Sequence, residues 1–250
     1  MKAPTPSRPK KSSTGKSLTA KQFIQKLSLS KSAAEIAKIE RFFSDGEASG
    51  NKCLGVRWSI VFNLAKEFML MEPDEIEELL ESKYYEARMG AVSIMDFQAR
   101  HKKTTAARKK ELFDLYIRRH DRINNWDLVD RSAPYVVGGY LFDKPRALLF
   151  KLAKSKNVWE RRTAIVSTYY FIRQGEVEDT FSIAQLLLND KHNLIHKAAG
   201  SWVREAGKKD RQRLLTFLNN HSQKMPRTML RYAIEQLEPK QRALYMAKKA

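Results

Sequence analysis

Residues 157–189 read NVWERRTAIVSTYYFIRQGEVEDTFSIAQLLLN, and this stretch decides the fold class. Asn157 and Asp179 are helix-start residues, because a short side-chain acceptor can satisfy the first free N–H groups of a helix. Behind each start, apolar residues recur at helical spacing: Ile165–Thr168–Tyr169–Ile172, then Ile183–Leu186–Leu187. The stretch is therefore one helix pair. Outward from it, similar pairs read over 83–122, 126–154, 193–221 and 225–247. Toward the N-terminus the stripes are Ile36–Ile39–Phe42–Phe43 and Val56–Ile60–Leu64–Phe68, followed by Pro73 at the first turn of an acidic helix start. Strand signals are nearly absent: Asp45-Gly46 sits between helices rather than in a hairpin, and there are only 10 glycines. The pattern predicts an all-α fold of roughly a dozen helices of about 10–18 residues, stacked as a two-helix solenoid whose concave face suits long nucleic acid.

The 250 residues carry 47 Lys+Arg against 28 Asp+Glu, a formal net charge of +19. Six of those basic residues (Lys2, Arg8, Lys10, Lys11, Lys16, Lys21) fall in residues 1–21, which hold no acid and three of the eight prolines. Residues 1–20 are read as a disordered basic Pro/Ser-rich tail, because they lack apolar surface to bury. Residues 21–250 are read as a single helical domain, and most of the excess charge lies there. Such a balance favours an anionic partner, nucleic acid first. No apolar run approaches the roughly 18 residues of a membrane span, and no secretory signal leads the chain. The expected setting is cytoplasmic and away from membranes. The single cysteine, Cys53, is read as a packed thiol.

Walker, Rossmann and HExxH signatures are missing, and no cysteine pair has zinc spacing. His192 and His196 are four apart, but no acid base or third ligand accompanies them, so a capping or surface role is preferred to a metal site. The segment Ile123-Asn-Asn-Trp-Asp-Leu-Val-Asp130 stands out. Trp126 and Asp130 are four apart and share a helix face, while Asp127 is expected to point elsewhere. The competing reading makes Trp126 core and either Asp127 or Asp130 a helix cap. Arg161 and Arg162 follow the Asn157 start, either as a salt-bridged pair or with one facing a groove. Trp202 lies on a helix with basic neighbours. Gly200, in mid-helix, marks close approach of a backbone or a ligand.

Taken together, Gly55-Val-Arg, Leu64-Ala-Lys, Tyr84-Tyr-Glu-Ala-Arg88, Asn125-Trp-Asp-Leu-Val-Asp130, Trp159-Glu-Arg-Arg162 and Lys197-Ala-Ala-Gly200 with Arg204-Glu205 resemble the DNA alkylation repair enzyme family. These are the AlkD-like glycosylases built of HEAT-like repeats, and the resemblance covers roughly residues 30–247. It implies an enzyme that excises cationic alkylated purines, N3-methyladenine and N7-methylguanine, from double-stranded DNA without metal or cofactor; a DNA-binding solenoid of this size is expected to work as a monomer. It places the catalytic carboxylate on Asp130, its tryptophan partner on Trp126, and the DNA-contacting arginine on Arg162 or its neighbour Arg161. One departure stands out. The family's second active-site tryptophan directly follows the glycine; here Ser201 holds that register, and Trp202, one residue later, is taken as the third catalytic residue. The alternative expectation is a non-catalytic HEAT-like module that binds nucleic acid or a protein through the same basic face.

Overall fold

The structure, a computed structural model, describes residues 18–40 and 51–247. Phe42, Phe43, Asp45, Gly46 and residues 1–17 of the expected tail lie outside them. Thr19 closes a capping box with Gln22 and opens α1 (Ala20–Ser28). Along the chain follow α2 (Ala33–Glu40), α3 (Trp58–Glu67), α4 (Pro73–Leu80), α5 (Tyr85–Arg100), α6 (Ala106–Arg118) and α7 (Trp126–Ala133). A π turn, Pro134–Gly138, leads into α8 (Gly139–Leu141), α9 (Ala147–Leu152), α10 (Val158–Arg173) and α11 (Glu178–Leu186). The chain continues with α12 (Asn193–Lys209), α13 (Arg211–His221), α14 (Arg227–Ala233) and α15 (Pro239–Ala247). Among the described residues there is no strand, only an isolated bridge between Lys52 and Tyr84. The fold is all-α, as the stripes predict.

Helices α3, α5, α7, α10, α12 and α14 form a series in which each packs on the next. Helices α4, α6, α9, α11 and α13 each pack on a member of that series. Contacts therefore stay between neighbours, which is the packing logic of stacked helix pairs. Several helices are shorter than expected: α4 and α7 have 8 residues, α14 has 7 and α9 has 6. The stripes show which face is apolar, not where the backbone stops being helical. At α7 the stop has a definite cause. Pro134 has no N–H to offer the carbonyl of Asp130 four residues back, and the chain widens into the π turn there.

Helices α5 and α10 are buried on almost every side, so the polar residues they carry are committed to the interior. Glu86 of α5 is fully buried, and its carboxylate accepts backbone N–H bonds from Leu54 (2.9 Å), Gly55 (2.8 Å) and Val56 (3.3 Å). Gly55 has φ +76°, and a Cβ there would sit 1.9 Å from the carbonyl oxygen of Ser32, so the turn demands glycine. Glu86 thereby clamps the segment that launches α3. Replacing Glu86 by Ala leaves three buried donors unsatisfied and is expected to lower the unfolding free energy by roughly 3 kcal/mol, measured by urea denaturation. A loss below about 0.5 kcal/mol would contradict the clamp. Gly200 marks a second close approach: a Cβ there would lie 2.4 Å from the carbonyl oxygen of Met229, so α14 lies directly against α12. Of the two readings of Gly200, backbone approach is the one observed.

Candidate active site

Helix α7 begins where Asn125 caps it, its side chain accepting from the N–H of Trp126 at 2.8 Å. The cap role open to Asp127 or Asp130 is thus filled by Asn125. Capping and helical phase place Trp126 and Asp130 one turn apart on the same face. Both line a cleft of about 380 Å³ whose other walls are Trp58 and Phe62 of α3, Met89 and Arg100 of α5, and Asp127 and Arg131 of α7. The four-residue spacing of Trp126 and Asp130 therefore brings the indole and the carboxylate to one cleft.

Asp127 requires a correction. It lines the same cleft as Asp130 rather than pointing away. One residue is about 100° of rotation, but the cleft is wide enough to take side chains from two sides of α7. Asp127 Oδ1 accepts the Tyr85 hydroxyl of α5 and the N–H of Leu128 (2.9 Å). Tyr85 is itself oriented by the Asn125 amide, which donates to its hydroxyl at 3.0 Å, and by the Arg88 guanidinium 5.3 Å from its ring centre. Burial pushes the Asp127 carboxyl up to about 6, against the Tyr85 hydrogen bond that favours the charged form.

The cost of that burial has a sign. Asp127 binds a proton more tightly in the folded chain than in the unfolded one, so stability falls as pH rises from about 4 to about 6 and stays reduced above. Asp127→Asn keeps an oxygen for Tyr85 and Leu128 and removes the charge. It is expected to raise the unfolding free energy at pH 7.5 by about 1–3 kcal/mol and to flatten the dependence between pH 4 and 6. Denaturant melts across that range measure it, and a destabilised variant at pH 7.5 would contradict it.

Asp130 has a different partner. Arg162 of α10 holds it in a two-pronged pair, Nε to Oδ1 at 2.8 Å and Nη2 to Oδ2 at 2.7 Å. The third arm of Arg162 donates to the Leu194 carbonyl of α12 at 2.7 Å. Arg162 is only 6% exposed, so one guanidinium ties three helices together beneath the cleft. Arg161 is also engaged: it pairs with Asp190 and donates to the carbonyls of Ser155 and Lys156. Fully buried Asp96 of α5 anchors both cleft arginines, Arg100 at 2.8 Å and Arg131 at 3.0 Å. Arg131 lies over the rings of Phe62 and Phe97, at 5.1 and 4.7 Å.

Trp202 is not brought to this cleft. Its indole N–H donates to the Val166 carbonyl at 2.9 Å, and its ring packs 5.6 Å from Tyr169. Trp58 and Phe62, stacked at 6.5 Å, occupy the aromatic wall instead. Stripe reading misses them because it assigns Ile60 to the core, whereas Ile60 is 37% exposed and the buried face of α3 is Val61, Leu64 and Ala65. Their own four-residue spacing is the available signal. His192 caps α12 through Nδ1, which accepts from Leu194 N at 3.2 Å. Among the described residues no group of three His, Cys, Asp or Glu could hold a metal ion. Burial pushes the Cys53 thiol up to about 12, in keeping with a packed thiol. Among the described residues no helix is long and apolar enough to cross a membrane.

The cleft thus sets two carboxylates, Asp127 and Asp130, and two arginines, Arg100 and Arg131, among the rings of Trp58, Phe62 and Trp126. The chain matches the family model described as DNA alkylation repair enzyme over residues 23–237, and it belongs to that family. A solved structure, a predicted DNA alkylation repair enzyme from Enterococcus faecalis, is similar in fold: TM-score 0.62 at 16% identity, spanning 84% of this chain and 97% of that one. No curated protein matches the chain. Family membership gives the chain a role in the repair of alkylated DNA.

Proposed function

We propose that the protein is a DNA glycosylase that releases cationic alkylated purines, N3-methyladenine and N7-methylguanine, from double-stranded DNA as the first step of base excision repair. The observation that carries this reading is Asp130: a carboxylate fixed at both oxygens by Arg162, facing an aromatic-walled cleft. A purine alkylated at N3 or N7 carries positive charge and leaves neutral when the glycosidic bond breaks, so no strong general acid is needed. Positive charge moves to the deoxyribose as the bond lengthens. A fixed carboxylate in a partly desolvated cleft stabilises that charge without having to reorganise. The faces of Trp126 and Trp58 add attraction for the same developing cation.

This chemistry asks for neither metal nor cofactor, and one chain supplies every group it uses. Arg162 in this reading holds Asp130 in register, and a phosphate beside the lesion would compete with Asp130 for the same guanidinium. The basic body supplies phosphate contacts, and Arg161, paired with Asp190, lines no wall of the cleft. Trp202, bonded to the Val166 carbonyl, has no part in this reading. The testing experiment is release of free base from alkylated duplex DNA by the purified protein. Release of N3-methyladenine or N7-methylguanine above the spontaneous rate is expected. Tight duplex binding with no release from any alkylated substrate would favour the non-catalytic HEAT-like module.

A further inference from the structure

We propose that Asp127 is a second catalytic carboxylate, one that takes the proton of the water attacking the sugar, while Asp130 serves as a fixed charge. The inference rests on the glycosylase reading and divides the work of its cleft between two acids. Both acids line that cleft, but they are held in opposite ways. Asp130 has each oxygen engaged by Arg162, so accepting a proton there would break a charge-assisted pair. Among the described residues Asp127 has its hydrogen bonds on Oδ1, from Tyr85 and Leu128, which leaves Oδ2 for a ligand in the cleft. It is not needed as a cap, since Asn125 performs that role. A buried chain from Asn125 and Arg88 through Tyr85 orients it nonetheless.

The charged and titratable groups around it are Asp130 and Arg131 on its own helix, Tyr85, Arg88 and Arg100 from α5, and Arg162 from α10 behind Asp130. Helix α3 contributes Trp58 and Phe62, which do not titrate. Burial is the largest influence and brings Asp127 to about 6, close to the working range of a general base at neutral pH. The step balances. The C1′–N bond breaks with its electron pair going to the base nitrogen, which neutralises the cationic purine. The water oxygen bonds to C1′, and its proton passes to Asp127 and then to solvent.

The experiment is single-turnover base release from alkylated duplex between pH 5 and 8.5, with spontaneous release subtracted, for wild type, Asp127→Asn and Tyr85→Phe. Wild type is expected to lose rate about tenfold per pH unit below about 6. Asp127→Asn is expected to be slower by about 100-fold at pH 7.5 and to lack that acid limb. Tyr85→Phe removes a hydrogen bond that favours the carboxylate, so its limb is expected to move to higher pH, which a purely structural role would not produce. Asp127→Asn within threefold of wild type, or with the limb intact, overturns the inference and leaves the glycosylase reading standing. If Asp127→Asn melts below the assay temperature, the Tyr85→Phe limb decides, and an unmoved limb overturns the inference. No release by wild type overturns both readings.

Discussion

Asp130→Asn is expected to slow base release by about 10²–10³-fold while duplex binding holds or tightens. The amide has nearly the shape of the carboxylate, so the aromatic walls are kept, although its NH2 group cannot accept the second Arg162 donor. What is lost is one negative charge facing the sugar. At about 4 Å and an effective dielectric near 20, a unit pair is worth about 4 kcal/mol, or roughly a factor of 10³ in rate. The charge that develops on the sugar is partial and Asp130 is 28% exposed, which moves the expectation to the lower end of the range. Binding should not follow the rate. Removing the carboxylate leaves Arg162 without its counter-charge, and a cation released from its pair attracts phosphate. Parallel loss of binding and release would mean that the substitution had damaged the surface rather than the chemistry.

Arg162→Ala is expected to damage both stability and rate. The substitution leaves Asp130 unpaired and removes the bond to the Leu194 carbonyl, cutting the side-chain link among α7, α10 and α12. Breaking a fully buried pair costs about 3–5 kcal/mol, and the partial exposure of Asp130 lowers the expectation to roughly 2–3 kcal/mol. Release should fall at least tenfold in a variant still folded at the assay temperature, because Asp130 loses its orientation. Arg162→Lys should recover part of the stability but little of the rate, since an ammonium cannot make the two-pronged contact. Urea melts and single-turnover release on the same preparations separate the two effects. A variant within about 0.5 kcal/mol and twofold of wild type would show that the pair positions nothing.

Much of this arrangement is legible in the sequence, and the remainder has identifiable physical reasons. Helical stripes and cap residues are local, and they locate α10 and α12 well: Asn157 caps one and His192 caps the other. The Trp126–Asp130 spacing is equally local, and it delivers both side chains to one cleft. What is not local is invisible. The Arg162–Asp130 pair joins residues 32 apart, and nothing in a lone Arg-Arg dipeptide says that both members are already engaged. Glu86 and the Gly55 turn are separate motifs on paper; only folding shows that the first holds the second. Asp127 is misjudged by rotation angle alone, because α5 supplies the Tyr85 hydroxyl that keeps it at the cleft. Trp202 shows the converse. Its register one residue past the expected position sends it to the Val166 carbonyl instead of the carboxylates.

The most direct test compares wild type with Asp130→Asn for free-base release from an alkylated duplex under single turnover, with both proteins saturated with DNA. Wild type is expected to release free N3-methyladenine or N7-methylguanine, and the variant to do so at least about 100-fold more slowly at equal bound DNA. Equal release rates from the two proteins would contradict a catalytic role for Asp130.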